Sequence, residues 1–355
     1  MAEAPRIGGL PAVTLAADPV AGRASVVEAV VLPGRGFMLL QATVALPSGQ
    51  RLDLLHAPPL AEAAAQLDGG PEDFAGNRSF AFGGALLIPY ANRIRGRPRA
   101  DSREIDTTID GRPARLPRNW GGKAAGAETY AMHGLILATP IPYEKAAPDR
   151  VTGRLAAGDF GGRWPGGADL SFEWRLCDGE LRLQVEALSL GPEPLPFGAG
   201  WHPYFRVPSG DRGQARLRVP AARRADVNDY DEVLPTGRLL DVASTPYDFR
   251  GPGQALGALY LDDCFTGLDA DGGEMVVQLL DPAASLGLRV TAPSPPVHAV
   301  QVYAPPDQPF VVIEPQFNLP DPYGAEWPAD VTRGMVSLPP GARCAYAARV
   351  AVFAV

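Results

Sequence analysis

The chain has 355 residues, of which 46% are hydrophobic and 20% are charged, so it carries enough apolar surface for a large folded core. Its 40 glycines and 38 prolines together stay below the ~25–30% share that marks low-complexity chains, which excludes extended disorder. The formal net charge of −8 disfavours nucleic acid and anionic membrane surfaces as partners.

Segments of alternating polar and apolar residues, typical of β-strands, recur along the chain and are bounded by Gly, Pro or Asp. They are residues 24–32, 38–46, 51–55, 170–176, 181–190, 215–219, 275–280, 286–291, 297–303, 310–313 and 346–354. Residues 60–67, which follow two prolines and precede an Asp-Gly-Gly stop, have the one convincing helical pattern. The patterns therefore predict an all-β protein, a large antiparallel β-sandwich with minor helices.

Short turn sequences between neighbouring strand patterns indicate antiparallel hairpins. Asp178-Gly179 separates two alternating runs, and Pro47-Ser48-Gly49 separates two others. Connections this short cannot cross over to a parallel strand. No linker, long charge run or repeat divides the chain, so we expect a single domain over residues 1–355.

Cysteine usage and the N-terminal residues indicate the compartment. Cys177, Cys264 and Cys344 stand far apart without a C-x-x-C motif, which predicts neither a disulfide framework nor a thiolate metal site. The N-terminal segment has acidic residues and prolines where a signal peptide needs an apolar core, and no run of about 18 apolar residues occurs. We therefore expect a soluble, cytoplasmic monomer or homodimer that binds neither membranes nor nucleic acid.

The four histidines are the first candidates for proton transfer, because the ordinary pKa of imidazole lies near neutrality. His56 before two prolines and His298 within a strand are expected to be structural. His202 lies among aromatic residues in FGAGWHPYF, where the following proline favours extended backbone and the aromatic faces suit a sugar ring. His133 precedes Gly134, which permits close approach of a backbone or a ligand, and is equally compatible with a plain buried strand.

Acidic and basic residues supply further candidates. Glu314 follows three apolar strand residues, where a carboxylate needs a partner or a proton unless it simply faces water at the strand end. The Asp262-Asp263 doublet also interrupts an apolar segment and could be a turn. The alternating arginines of PYANRIRGRPRA form either a solvated edge or an anion site. No phosphate loop, dinucleotide fingerprint, zinc-protease or serine-hydrolase motif is present.

Six segments in a fixed order carry a family resemblance. PYANRIRGR, MHG, WHPYF, LDD, VQVY and IEPQFNLPD, followed by LPPG near the last strands, cover most of the chain from residue 89 onward. In this order they resemble the aldose 1-epimerase (galactose mutarotase) family. The resemblance implies a single β-supersandwich, a small-molecule sugar substrate and no metal or other cofactor.

The resemblance also implies roles for individual residues. His202 of WHPYF matches the family's general acid, and Glu314 of IEPQ matches its general base. The other matching positions would contact sugar hydroxyls: Asn92, Arg93, His133, Tyr204, Asp262 and Gln301. Because an imidazole is mostly neutral at pH 7, we expect negative charge from Asp262 or Glu314 to raise the pKa of His202.

Three alternatives stay open at this stage. The chain could be a non-catalytic carbohydrate-binding protein, or a glycoside hydrolase that uses Asp262 with Glu314 as its carboxylate pair. It could also be a mutarotase for phosphorylated or acidic sugars if Arg95, Arg97 and Arg99 bind an anion. The segment after His133-Gly134 lacks a tryptophan often found there in the family, so one side of the sugar site is expected to be built differently.

Overall fold

Two large antiparallel sheets account for most of the structure. The computed structural model describes residues 5–355; residues 1–4, which the predicted domain and N-terminal segment include, lie outside the described residues. The helical elements of the described residues are one α-helix, α1 (Leu60–Gln66), and the 3₁₀ segments Pro71–Phe80, interrupted by non-helical backbone at residues 73–76, and Pro282–Ala284. Among the described residues, no helix has the length and apolar character needed to cross a membrane.

The strands are given in chain order. The first ten are β1 (Arg6–Ile7), β2 (Leu10–Pro11), β3 (Val13–Ala16), β4 (Ser25–Leu32), β5 (Met38–Ala45), β6 (Arg51–Asp53), β7 (Gly84–Leu87), β8 (Arg93–Ile94), β9 (Arg97–Pro98) and β10 (Glu104–Ile109). The next ten are β11 (Arg112–Pro117), β12 (Trp120–Gly121), β13 (Thr129–Met132), β14 (Tyr143–Ala147), β15 (Arg150–Gly158), β16 (Ala168–Cys177), β17 (Glu180–Ser189), β18 (Leu195–Phe197), β19 (Gly200–Arg206) and β20 (Arg216–Arg218). The last ten are β21 (Ala221–Val227), β22 (Pro235–Asp241), β23 (Gln254–Ala255), β24 (Leu261–Leu268), β25 (Glu274–Asp281), β26 (Leu286–Pro293), β27 (Ala299–Ala304), β28 (Phe310–Gln316), β29 (Val336–Leu338) and β30 (Arg343–Ala354).

The two large sheets pack face to face and form a sandwich. One has eleven strands in the order β22-β21-β24-β27-β28-β19-β7-β5-β4-β3, with β6 added beside β5. The other has nine strands in the order β14-β15-β16-β17-β30-β26-β25-β20-β23. One hydrophobic core contains side chains from both sheets, and in it the rings of Trp174 and Trp201 meet edge to face with centroids 5.4 Å apart. The predicted all-β sandwich is confirmed.

Strand alternation separates this core from the functional face of the eleven-stranded sheet. Trp201 and Ile313 belong to the core, whereas the next residue on each strand, His202 and Glu314, points to the opposite face. In the β19–β28 ladder Gly200 pairs with Gln316 and Tyr204 with Val312, which places His202 opposite Glu314. Register alone therefore brings the two residues together.

Local turn chemistry follows the sequence patterns. Asp178 and Gly179, with φ of 55° and 75°, form the tight turn between β16 and β17, as predicted. The helical pattern over 60–67 is confirmed as α1. The 3₁₀ segment Pro71–Phe80, in which four residues have non-helical backbone, was not predicted because its sequence has no periodic apolar pattern.

Candidate active site

A cavity of about 810 Å³ opens on the face of the eleven-stranded sheet that lies away from the core. Four central strands of that sheet, β24, β27, β28 and β19, supply its floor. All eight residues singled out from the sequence line it, namely Asn92, Arg93, His133, His202, Tyr204, Asp262, Gln301 and Glu314. The structure thus gathers residues that are widely separated in the chain.

His202 and Glu314 form a buried pair on the floor. His202 Nε2 lies 3.4 Å from Glu314 Oε2, and the side chain of Glu314 has no solvent exposure. The separation is within ion-pair reach, but its geometry is not that of a hydrogen bond, and neither Glu314 oxygen accepts a hydrogen bond from residues 5–355. A carboxyl group this buried and this poorly paired is costly for stability, which is a common property of catalytic groups.

His133 stands against this pair. Its backbone adopts a left-handed conformation, φ 61°, and its ring meets the His202 ring edge to face at 5.0 Å. Gly134 packs directly on the backbone of Ile88, where a Cβ would come within 2.3 Å of the carbonyl oxygen. The close approach predicted at Gly134 is therefore made by protein backbone, and it holds His133 over the cavity.

Four polar residues at the side of the floor form a closed ring of three hydrogen bonds and one ion pair. Asn92 Nδ2 donates to Gln301 Oε1 at 3.0 Å, and Gln301 Nε2 donates to Asp262 Oδ1 at 2.6 Å. Arg93 donates to Asn92 Oδ1 at 2.7 Å and lies 3.5 Å from Asp262 Oδ2. Each member orients the next, so the ring presents fixed donors and acceptors to a bound molecule.

Aromatic residues that the sequence analysis missed complete the walls. Phe80 stacks edge to face on His133 at 4.8 Å, and its carbonyl oxygen accepts a hydrogen bond from the Tyr204 hydroxyl at 2.7 Å. Trp120 in turn packs on Phe80 at 5.3 Å. These two residues come from short segments without strand periodicity, whereas Tyr303 shares a strand face with Gln301 and could have been found from the period of two.

The remaining two histidines lie in different places, one at the cavity and one outside it. His56, expected to be structural, lies at the cavity wall, where its ring packs on Phe310 at 5.0 Å. His56 lies there because its backbone N–H donates a hydrogen bond to the carbonyl oxygen of Tyr204 at 2.7 Å, which places it beside strand β19. His298 lies outside the cavity and its Nε2 is 2.8 Å from the carbonyl oxygen of Thr332, in agreement with a structural role.

Burial controls the protonation of the central pair. Burial, reinforced by the positive charge of Arg93, lowers the pKa of His202 to about 4, which contradicts the expectation that nearby carboxylates would raise it. Burial also raises the pKa of Glu314 well above its ordinary value, opposed in part by Arg93. Both shifts favour an uncharged pair, in which the Glu314 carboxyl group is protonated and the His202 imidazole is neutral. The pair then holds one titratable proton, and this proton lies on Glu314.

The same cause acts on the neighbours of the pair. Burial lowers the pKa of His133 well below its ordinary value, and the positive charge of His202, when it is protonated, and that of Arg93 add to the effect. Burial raises the pKa of Asp262, although Arg93 and the hydrogen bond from Gln301 oppose the shift. The two imidazoles are thus neutral at neutral pH.

Within residues 5–355, one set of side chains has the spacing to hold a metal ion. The ligand atoms of His133, His202 and Glu314 all lie within 4.8 Å of one another. Two neutral imidazoles and a carboxylate are a common ligand set for zinc and related ions. The same atoms form the acid–base pair, so a metal ion and a reacting sugar would compete for them.

The arginine run is dispersed. Of its four arginines, Arg93 alone lines the cavity. Arg95 pairs with Glu128 at 2.7 Å, and Arg97 and Arg99 lie 3.8 Å and 3.0 Å from Asp106. The extended face that would have formed an anion site is broken because β8 and β9 join different sheets. Arg97 and Arg99 thus pair with a carboxylate on the neighbouring strand β10.

Comparisons with known proteins agree with this geometry. The family model for aldose 1-epimerase matches residues 62–345. No curated protein gives a match to the chain. Solved structures with the same fold include the aldose epimerase homologue from C. elegans, with 18% identity, a TM-score of 0.72 and coverage of 97% of this chain and 99% of that chain.

Two further solved structures share the fold. A galactose mutarotase-like protein from Clostridium acetobutylicum has 17% identity and a TM-score of 0.71, and the match covers 94% of this chain and 95% of that chain. The galactose 1-epimerase from Lactobacillus acidophilus has 16% identity and a TM-score of 0.62, covering 97% of this chain and 99% of that chain. At these identities the likeness concerns the fold.

Proposed function

Because the chain belongs to the aldose 1-epimerase family, we propose that it interconverts the α and β anomers of an aldose, a hexose or a related sugar. The observation that carries this proposal is the buried His202–Glu314 pair, 3.4 Å apart on the floor of the cavity. Anomerisation needs one group that accepts a proton and one that donates a proton, and the pair supplies both.

Ring opening moves two protons. Glu314, as carboxylate, takes the proton of the C1 hydroxyl, while protonated His202 gives a proton to the ring oxygen. The bond between C1 and the ring oxygen breaks, and C1 becomes a carbonyl carbon. Rotation about the C1–C2 bond turns the other face of the carbonyl group toward the hydroxyl that was formed from the ring oxygen. Closure reverses both roles, so each residue recovers its starting protonation and no co-reactant is consumed.

The reaction requires the single proton of the pair to lie on His202, whereas the unliganded cavity favours it on Glu314. A sugar hydroxyl that donates to Glu314 stabilises the carboxylate, because hydrogen bonding to the charged form lowers the pKa of an acid. Substrate binding therefore moves the proton toward His202 without changing the total held by the pair. Positioned acid–base groups typically contribute about 10²–10⁴-fold each, which is sufficient for a reaction that already proceeds in water.

The surrounding polar residues bind and orient the sugar. The ring of Asn92, Gln301, Asp262 and Arg93 faces the cavity beside the pair, and we assign it to the sugar hydroxyls. His133 and Tyr204, which the family resemblance assigns to sugar contacts, pack on His202, each with its ring centroid 5.0 Å from that of the imidazole. Asp262, the second carboxylate that glycoside hydrolysis would need, is occupied by Arg93 and Gln301, which favours an orienting role over an acid–base role.

Polarimetry tests this proposal directly. Freshly dissolved α-glucose and α-galactose should lose their excess rotation faster with the protein than without it. Glu314→Gln should reduce kcat by about 10²–10⁴-fold, because the amide cannot accept the C1 hydroxyl proton. Glu193→Gln, the same chemical change at an exposed position outside the cavity, is the matched control.

Three outcomes would overturn the proposal. A Glu314→Gln protein that equilibrates the anomers at the wild-type rate would remove Glu314 from the mechanism. A wild-type protein that binds the sugars in calorimetry without changing the rate of mutarotation would be a carbohydrate-binding protein. Release of reducing sugar from an aryl glycoside would instead indicate glycoside hydrolysis.

A further inference from the structure

Three residues of the candidate site lie on a small sheet of their own. Arg93 opens β8 with Asn92 before it, and His133 directly follows β13; these two strands form a three-stranded sheet with β12. We call residues 91–95 and 129–133 the binding arm. Because β8 and β13 belong to neither large sheet, contacts outside the two large ladders set the position of the arm relative to the floor.

On the outer edge of β8, an asparagine amide takes the place of a neighbouring strand. Asn318 Oδ1 accepts a hydrogen bond from the Ala91 backbone N–H at 3.1 Å, and Asn318 Nδ2 donates to the Ala91 carbonyl oxygen at 2.8 Å. Nδ2 also donates to the Leu319 carbonyl oxygen at 3.0 Å, so both amide protons of this buried group are used. Asn318 lies two residues after Gln316, the end of β28, and therefore ties the arm to the strand that carries Glu314.

The same segment binds the arm again further along. The backbone N–H of Asp321 donates to the Arg93 carbonyl oxygen at 2.8 Å, and Asp321 Oδ1 accepts from the Arg95 backbone N–H at 3.0 Å. The main-chain groups that Asn318 and Asp321 bind belong to residues 91, 93 and 95, which as alternate residues of an extended chain face the same side. Residues 318–321 thus cover the outer edge of β8 although they are not a strand themselves.

A second asparagine holds the other strand of the arm in the same way. Asn119 Oδ1 accepts from the Met132 backbone N–H at 2.8 Å, and Asn119 Nδ2 donates to the Met132 carbonyl oxygen at 3.1 Å. Nδ2 also donates to Asn77 Oδ1 at 2.9 Å, on a segment that lines the cavity. Met132 pairs with Arg93 and directly precedes His133, so the two amides hold opposite sides of one pair of strands.

An amide suits both places because it has a donor and an acceptor in one plane, as a peptide group has. Loss of the amide leaves a buried main-chain N–H and a buried C=O without partners, which is costly. The side chains of Asn119 and Asn318 are both buried, and neither lines the cavity. An effect of either residue on a bound sugar must therefore pass through the arm.

The polar ring at the side of the floor spans the boundary between the arm and the large sheet. Asn92 and Arg93 belong to the arm, whereas Gln301 and Asp262 belong to β27 and β24. The two halves meet at the hydrogen bond from Asn92 to Gln301, 3.0 Å, and at the ion pair of Arg93 with Asp262, 3.5 Å. A displaced arm would open the ring at both contacts.

From these contacts we propose that Asn119 and Asn318 are positioning residues, which hold the binding arm, and with it Arg93 and His133, in register with the acid–base pair. The inference rests on the proposed mutarotase function. Both amides fix the arm before a sugar binds, so the sugar meets donors and acceptors that are already in place. A misplacement of about 1 Å can lower a rate about 10²-fold, even when the altered residue is far from the chemistry.

Alanine substitutions test the proposal, because alanine removes the amide and introduces no steric clash. Asn318→Ala and Asn119→Ala should each lower kcat/KM for glucose or galactose about 10²-fold. Their calorimetric affinity for the sugar should fall about tenfold, the size expected for one lost hydrogen-bonded contact. Gln41→Ala is the matched control, since Gln41 makes the same two-bond contact with the Leu55 main chain, 2.9 Å each, and neither residue lines the cavity. It should lower the free energy of unfolding and leave kcat/KM and the affinity unchanged.

The pH profile supplies a readout that a general loss of stability would not move. The charged and titratable groups that face His202 are Glu314 of β28, His133 and Arg93 of the arm, and Tyr204 of its own strand. The positive charge of Arg93 adds to burial in lowering the pKa of His202. A displaced arm weakens this effect, so the acid limb of kcat/KM should shift to higher pH in both alanine variants and stay in place in the control.

Two results would overturn the positioning role. One is wild-type affinity for the sugar in folded Asn318→Ala and Asn119→Ala proteins; the other is an equal fall of kcat/KM in Gln41→Ala. Asn318→Ser and Asn119→Ser, whose hydroxyl keeps one of the two hydrogen bonds, replace an alanine variant that does not fold and should show a smaller effect of the same sign. If the wild-type protein does not accelerate mutarotation, the proposed function fails, while the sugar affinities of wild type and variants still decide the positioning role.

Discussion

The imidazole rings of His133 and His202 meet edge to face, with their centroids 5.0 Å apart and their planes at 82°. Both rings are buried, and burial lowers the pKa of each, so both have a free lone pair at neutral pH. Glu314 completes a group whose ligand atoms lie within 4.8 Å of one another. The arrangement serves proton transfer and is also open to a competing metal ion.

Zinc should inhibit the reaction. A zinc ion bound by His133, His202 and Glu314 occupies the lone pairs that proton transfer uses, so inhibition should be competitive with sugar. Because loss of even an outer partner of a metal ligand typically costs about 10–100-fold in metal affinity, His133→Asn should raise the inhibitory zinc concentration at least as much. Polarimetric rates with added zinc and with a chelator measure both effects. Loss of activity on chelation would contradict the acid–base mechanism.

The activity should persist in acid. Burial lowers the pKa of His202 to about 4 from its ordinary 6.5, so the pair keeps its single proton until the pH falls toward the lower value. Binding of a second proton would abolish base catalysis, and we expect the acid limb of kcat/KM, which reports the unliganded protein, well below pH 6.5. Polarimetry from pH 4 to 8, corrected for the uncatalysed rate, gives the profile, with circular dichroism to show that the protein stays folded. An acid limb of kcat/KM centred near pH 6.5 would contradict this prediction.

Gln301→Ala should weaken both sugar binding and stability. Gln301 is buried and bridges Asn92 to Asp262, so its removal leaves a buried amide donor and a carboxylate oxygen without their partner. Each such group typically costs about 1–3 kcal/mol of folding free energy. Denaturant unfolding measures the loss, and an increase in KM reports the disordered binding ring. Gln50→Ala, at an exposed turn, should affect neither, and an unchanged KM in Gln301→Ala would remove Gln301 from the sugar site.

A buried ion pair should hold the segment that carries Phe80. Arg35 donates to both carboxylate oxygens of Asp73 at 2.8 Å and 2.7 Å, and also to Ser79. Arg35→Ala leaves the buried Asp73 carboxylate without its countercharge and with only the backbone N–H groups of Gly69 and Arg78 as donors, so we expect a loss of about 3 kcal/mol in the free energy of unfolding. Denaturant unfolding measures it, with Arg97→Ala as a control because the side chain of Arg97 is 85% exposed. Equal stability of the two variants would show that the ion pair contributes nothing.

Local patterns in the chain account for much of the fold. Alternation of polar and apolar residues predicted strands of both large sheets, and the Asp178-Gly179 turn predicted an antiparallel hairpin, which β16 and β17 form. These features depend on neighbouring residues only, which is why one sequence is sufficient to find them. The expectations of a single domain, of an oligomeric state and of the compartment remain predictions.

The candidate site divides in the same way. The family motifs identified the residues of the floor and of the polar ring by their types and order, and strand alternation placed His202 and Glu314 away from the core. The sheet order, the walls of Phe80 and Trp120, the dispersal of Arg95, Arg97 and Arg99, and the low pKa of His202 were decided by tertiary structure alone. Residue types and periodicity are written in the local sequence, but burial and the distance between two charges depend on every segment that packs around them.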